Sequence, residues 1–309
     1  SADLTIGTNF ADGRGNVTMN VGYTNRKAVF QGDRDFSTFA LGDSGTTLVP
    51  GGSSGVPAGH SFDSFTFPDG TTGQAIFDSN APGGVRRWIN SGAGNDRYNY
   101  APVNYLQLPQ ERFNTTTIAR YDITPEIEAY ARFTGAFNQV PQQLAPTPAF
   151  TSVTTQLDNP FLTPEQSAIL GQLDTDGDGE VTTYLGRRMV ETGARVSNDD
   201  FFAFQIQAGI RGEFGPGLSY DVFFQKGRTQ DNVDLTGDIS LSRFLNAANV
   251  TDDGNGNPVC VVGGSCVPMD LWGAGDITAD AADYIRAGLN AKSEYNQTIF
   301  GASLAGSTD

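Results

Sequence analysis

Apolar and polar residues alternate with a period of two over several stretches of the chain. Between Glu126 and Asn138, one phase holds Ile127, Ala129, Ala131, Phe133, Gly135 and Phe137. The other holds Glu126, Glu128, Tyr130, Arg132, Thr134 and Asn138. Phe202, Phe204, Ile206, Ala208 and Ile210 alternate with Gln205, Gln207, Arg211 and Glu213 in the same way. So do Leu218, Tyr220, Val222 and Phe224 with Ser219, Asp221 and Gln225, and Val17, Met19, Val21 and Tyr23 with Thr18, Asn20 and Thr24. Successive side chains of a strand point to opposite faces, so the pattern predicts strands with one apolar and one polar face. Seven are expected, near 3–10, 15–27, 111–122, 126–138, 200–213, 217–229 and 293–305.

Their connections alternate in length. The turns ADGRG, DITPE and EFGPGLS are short, whereas the segments near 28–110, 139–196 and 230–292 are long and rich in Gly, Pro, Asn and Asp. Several loops of that size count against a compact domain. Short turns at one end and long loops at the other are the habit of an outer-membrane barrel. The long segments also carry helix signals. Thr163-Pro164-Glu165-Gln166 is a capping box leading into Ile169, Leu170 and Leu173. Leu241, Phe244, Leu245 and Ala248 follow Ser240 at helical spacing, and Thr278 starts a helix carrying Tyr284, Ile285 and Leu289. These helices are expected to pack on the loops themselves.

Composition narrows the class. A net charge of −16 excludes nucleic acid as a partner, because phosphate recognition needs a basic footprint. One histidine, two cysteines and three methionines leave little for zinc, haem or a Cys–His centre. No apolar run approaches the roughly 18 residues of a spanning helix, which leaves spanning strands open. Cys260 and Cys266, six positions apart with neither a CxxC nor a nearby His, predict a disulfide-closed loop and an oxidising compartment.

Several segments together resemble TonB-dependent outer-membrane receptors of the large-looped branch common in alphaproteobacteria. They are NFADGRGNVTMNVGYTNRKAVFQGDRDFS, YDITPEIEAYARFTGAFNQ, GDISLSRFLNAANV, CVPMDLWGAGDITADAADYIRAGLNAKSE and the closing FGASLAGS. The resemblance implies an all-β, antiparallel transmembrane barrel of about 22 strands enclosing an N-terminal plug. It implies active uptake of a scarce nutrient (a siderophore, vitamin, saccharide or similar), driven by a TonB-type energy-transducing complex acting on the plug. The seven strands are then an internal stretch of that barrel, with the plug domain outside this chain. The long loops are expected outside the cell, and lipid or lipopolysaccharide around the wall.

The sharpest local motif is Asp174-Thr-Asp176-Gly-Asp178-Gly-Glu180-Val-Thr182, which matches the first half of an EF-hand-type loop. Three carboxylates on alternate residues converge on a hard cation and Glu180 can offer its carbonyl at position seven, so Asp174, Asp176, Asp178, Glu180 and Thr182 are expected to hold a structural Ca²⁺. Position twelve is Leu185, however, so another loop or water must complete the shell. Gly42-Asp-Ser44-Gly45 resembles the surroundings of a serine-protease nucleophile. The sole histidine, His60, follows it instead of preceding it, and is expected on a surface loop. Catalysis is therefore not expected. Arg86, Arg87, Trp88, Tyr98, Tyr100, Tyr105 and Trp272 build a ligand mouth, cover one another in the folded loops, or form an aromatic girdle at the membrane interface. Arg120, Arg132 and Arg211, on polar strand faces, are expected to pair with acids such as Glu128 and Glu213. The alternative is a secreted or surface-attached calcium-binding β module for adhesion or assembly. It predicts Ile127, Ala129, Ala131, Phe133 and Phe137 buried against a second sheet, where the barrel predicts them bare.

Overall fold

The computed structural model describes residues 1–215 and 217–306; Pro216, in the turn expected of the third hairpin, lies outside them. Strands β1 (Ala2–Phe10) and β2 (Gly15–Arg26) form the first hairpin. In the first long connection lie β3 (His60–Thr66), β4 (Thr72–Ile76) and β5 (Arg86–Arg87). The second hairpin is β6 (Gln110–Thr124) with β7 (Ile127–Leu144), followed by β8 (Pro148–Gln156), α1 (Pro164–Leu170) and β9 (Glu180–Arg188). The third hairpin is β10 (Arg195–Glu213) with β11 (Leu218–Ile239). Helices α2 (Leu241–Ala248) and α3 (Ala279–Ile285) precede β12 (Arg286–Gly306).

Seven strands make one antiparallel sheet in the order β1-β2-β6-β7-β10-β11-β12, sequence neighbours being spatial neighbours throughout. The sheet is open among the described residues, with β1 and β12 as its two edges. The later strands outrun the alternation that reveals them. β7 continues to Leu144, β11 to Ile239, and β12 starts at Arg286. In those extensions the phase that is apolar nearer the turns becomes polar, as at Gln139, Gln143, Asn232, Asp234, Lys292 and Glu294, so the apolar row does not continue into them.

Register sorts the side chains into two faces. Val17, Ala119, Ala131, Ala208, Phe224 and Phe300 share one row, and Met19, Thr117, Phe133 and Ile206 share the next. This apolar face is bare: Phe133 is 37% exposed, Phe137 40%, Ile206 44% and Phe300 74%. The module alternative required these residues to be covered, and the second sheet does not cover them. The opposite face is polar. There Glu128 bonds Arg211 at 2.6 Å and Arg120 at 3.6 Å, and Tyr130 donates to Asp221 at 2.8 Å. Glu213, also expected as a partner, forms none of these pairs.

The three long connections are not helices on otherwise irregular loops, as the sequence suggests. They build a second antiparallel sheet, β8-β9-β3-β4-β5, joined by α1, α2 and α3 around one hydrophobic core. Phe65 and Phe77 from the first connection, Val153, Leu170 and Leu185 from the second, and Phe244, Leu271, Trp272 and Ile285 from the third all belong to it. Burying large apolar side chains from three loops in one cluster is what gives Gly-rich segments a fixed shape. The helices begin where their caps predict. Thr163 accepts from the Gln166 N–H while Gln166 returns the bond, and Ser240 and Thr278 cap α2 and α3. The third helix ends at Ile285, however, and Leu289 belongs to β12.

Candidate functional site

The acidic turn lies between α1 and β9. Asp174, Asp176 and Asp178 bring carboxylate oxygens within 4.8 Å of one another. The turn is shaped by the backbone: Gly177 and Gly179, at φ of 78° and 81°, donate their N–H groups to Asp174 at 2.7 and 3.1 Å. Left-handed φ there suits glycine and little else. The Asp178 carboxylate accepts from the Glu180 N–H at 2.8 Å. The side chains of two of the five expected ligands are engaged elsewhere, which leaves the Glu180 carbonyl expected at position seven untouched. Glu180 accepts from Gln156 Nε2 at 2.7 Å and the Thr182 hydroxyl meets Thr154 at 2.9 Å, because both residues have entered the β8–β9 ladder. Leu185, at the loop's twelfth position, is fully buried. The chemistry left is three exposed or half-exposed carboxylates suited to a hard, partly hydrated cation.

A second polar group lies inside the looped unit and escapes the sequence reading. Along β9, Val181, Thr183, Leu185 and Arg187 share the buried phase, so a guanidinium occupies a core position. Arg187 Nη2 donates to Glu191 Oε1 and to the Gly273 carbonyl, both at 2.9 Å, and Nη1 donates to the Arg188 carbonyl at 2.8 Å. Its Nε and the indole N–H of Trp272 have no acceptor among the described residues. Nearby, burial, reinforced by the charge of Asp276, pushes the Asp270 carboxyl up to about 6; the Trp272 N–H and Arg187 pull the other way. The readable signal was the charge appearing in phase with Val181 and Leu185. The node ties the second connection to the third, and Ser79 of the first bonds Asp276 at 3.3 Å.

His60 is not on a surface loop. It lies buried on β3, stacked on Trp88 with centroids 3.9 Å apart, its ring nitrogens 3.1 Å from the Ser54 carbonyl and from Gln74 Oε1. Burial lowers its pKa against the pull of those two hydrogen bonds. Ser44 bonds Thr47 in its own tight turn, with no histidine beside it. The proposed aromatic and arginine mouth is largely internal packing. Arg86 clamps Asp78 and Asp96, Tyr98 lies beneath Arg188, Trp272 meets Phe77 edge-on, and Tyr105 packs on Phe30. Cys260 and Cys266 are joined in a disulfide, closing a loop beside α2. Among the described residues no helix is long and apolar enough to cross a membrane. No protein-family model, curated protein or solved structure matches the chain.

Proposed function

We propose that this chain is a stretch of the β-barrel wall of a TonB-dependent outer-membrane receptor. Its three connections then form an extracellular lobe, and the whole receptor takes up a scarce nutrient. The observation that carries the reading is the bare apolar face. On β7 it runs from Ile127 to Phe137, ten residue steps or about 34 Å along the strand. At a barrel tilt of about 40° that is a height of roughly 26 Å, the apolar band of an outer-membrane barrel being about 25 Å.

The edges of the band support the same tilt. On β2 the outermost apolar residue is Tyr23, level in register with Phe113, Phe137 and Phe202; at that level β11 and β12 carry Gln230 and Glu294. There the last apolar residues are Phe224 and Phe300, six positions nearer the turns. Constant height across strands about 4.8 Å apart, tilted by about 40°, requires a drift of roughly one residue per strand. Over the five steps from β2 to β12 that is about six residues, the total seen, with the drop falling in the one step between β10 and β11. The hairpin ends move the same way, from Phe10–Gly15 through Thr124–Ile127 to Glu213–Leu218. Phe10 stacked on Tyr121, and Phe214 on Tyr220, supply aromatics at the turn end, where an interfacial girdle belongs.

In this reading Arg120, Arg211, Glu128, Tyr130 and Asp221 face the lumen, towards a plug on which the TonB-type complex acts. Asp174, Asp176 and Asp178 are proposed to hold Ca²⁺ and stiffen the outer lobe. The test is fractionation with peptide mapping. Recovery of these peptides in washed outer membranes, on a polypeptide extending past Ser1 and Asp309, is expected. Recovery of a product of this length alone, in the soluble or secreted fraction, overturns the transporter reading.

A further inference from the structure

We propose that Lys226 and Arg228 form a binding site for the phosphate of an anionic lipid headgroup, at the outer edge of the apolar band. The inference rests on the barrel reading above. The chain has three lysines, and two of them, Lys226 and Lys292, stand on the apolar-phase face of neighbouring strands. Lys226 follows directly on Phe224 in that phase and is level with Ile206; Arg228 is level with Phe204. Two cations therefore follow the last apolar residue of β11 in this phase, between Ile206 and Phe204 of β10 and Thr298 and Asn296 of β12, in a chain of net charge −16. Internal pairing does not account for both. Lys226 Nζ has only the Thr298 hydroxyl at 3.3 Å. Arg228 bonds Glu294 at 2.8 Å and Gln230 at 3.2 Å, and its Nε has no acceptor among the described residues. Asp200, the nearest other acid in this phase on β10, lies across Asn232 and accepts from Gln139. The patch keeps a positive excess.

Height fixes the occupant. Lys226 and Arg228 are two residues apart, about 7 Å along the strand and about 5 Å along the membrane normal at the tilt above. A headgroup layer is roughly 5–8 Å thick on each side of the hydrocarbon. Both cations fit in one layer, with apolar stems in hydrocarbon and charged ends at the phosphate. Lys292, paired with Asn232, is four residues farther out and lies beyond that layer.

The test uses the full-length protein in vesicles of phosphatidylcholine containing a trace of spin-labelled phosphatidylglycerol or spin-labelled phosphatidylcholine. The fraction of each label immobilised at the protein is the readout. Wild type is expected to prefer the anionic label, with about a five-fold loss of preference for each charge removed in Lys226→Gln and in the double variant with Arg228→Gln. Lys292→Gln should retain the preference. Insertion without anionic preference, or a double variant that keeps it, overturns the site and leaves the barrel reading intact. Preference abolished by Lys292→Gln alone, or binding of inorganic phosphate without any lipid preference, also overturns it. Failure of wild type to insert in either vesicle overturns both.

Discussion

An arginine placed at Ala131 tests the orientation of the large sheet most directly. Ala131 is exposed, lies four positions from Ile127 in the same phase, and pairs with Ala119 and Ala208, which share its face. The apolar run of β7 spans Ile127 to Phe137, so Ala131 lies within one residue of its midpoint. A guanidinium at the midplane of a transmembrane barrel costs about 2–4 kcal/mol, falling to about 0–1 kcal/mol near the interfaces. Ala131→Arg should therefore lower the folding equilibrium constant in vesicles by about thirty- to a thousand-fold. Gln139→Arg, one step beyond Phe137 in the same phase, should change it less than about five-fold. Thr134→Arg, on the polar face, should also be mild. Urea titration of the full-length protein in phosphatidylcholine vesicles measures all three. Equal destabilisation by Ala131→Arg and Thr134→Arg, or none by Ala131→Arg, would refute the assignment of that face to lipid.

The remaining predictions concern the looped unit. Arg187→Ala should destabilise it by about 3–5 kcal/mol by stranding the Glu191 carboxylate, with Arg187→Met milder, read as lost hydrogen-exchange protection in β8 and β9 but not in β7. Asp270 has a folded pKa raised to about 6 from 3.8, so its contribution is fully present below about pH 4 and is lost as pH rises towards 6. Asp270→Asn should flatten the pH dependence of the unit's urea midpoint over that window; an unchanged slope would refute the burial argument. Reducing the Cys260–Cys266 bond should cost about 2 kcal/mol, with lost protection confined to the strand pair Val250–Asp252 and Pro258–Cys260. Calcium should raise the unit's thermal midpoint in wild type and not in an Asp176→Asn, Asp178→Asn double variant, with calorimetry as the check.

The sequence was most legible where one physical contrast dominated. Strands with an apolar and a polar face announce themselves, and so do the helix starts at Thr163, Ser240 and Thr278, because a cap must satisfy the first turn's N–H groups. What stayed hidden lacked such contrast. The outer halves of β11 and β12 are polar in the phase that is apolar nearer the turns, and Val233, Leu235, Ala291 and Tyr295 lie in the other phase. The strand β8 carries threonine and serine at four of nine positions, and one of the two partners of β3, the strand β9, lies more than a hundred residues away. His60 was misplaced because a single residue has no period; its burial follows from Trp88 and Gln74 arriving from β4 and the segment after β5. Of the acidic turn, the three aspartates were readable. The diversion of Glu180 and Thr182 was not, since it depends on β8 pairing with β9 in one register.

The shared core of the three connections also sets an order of events. Phe77 packs against Trp272, and Ser79 bonds Asp276, 197 positions later in the chain. Contacts of such sequence separation form late, because the loop must close before any contact rewards it. The first connection thus has no finished interior until α3 has arrived. Every strand from β6 to β11 lies between these partners in the chain. The looped unit is a latch that only the third connection can close.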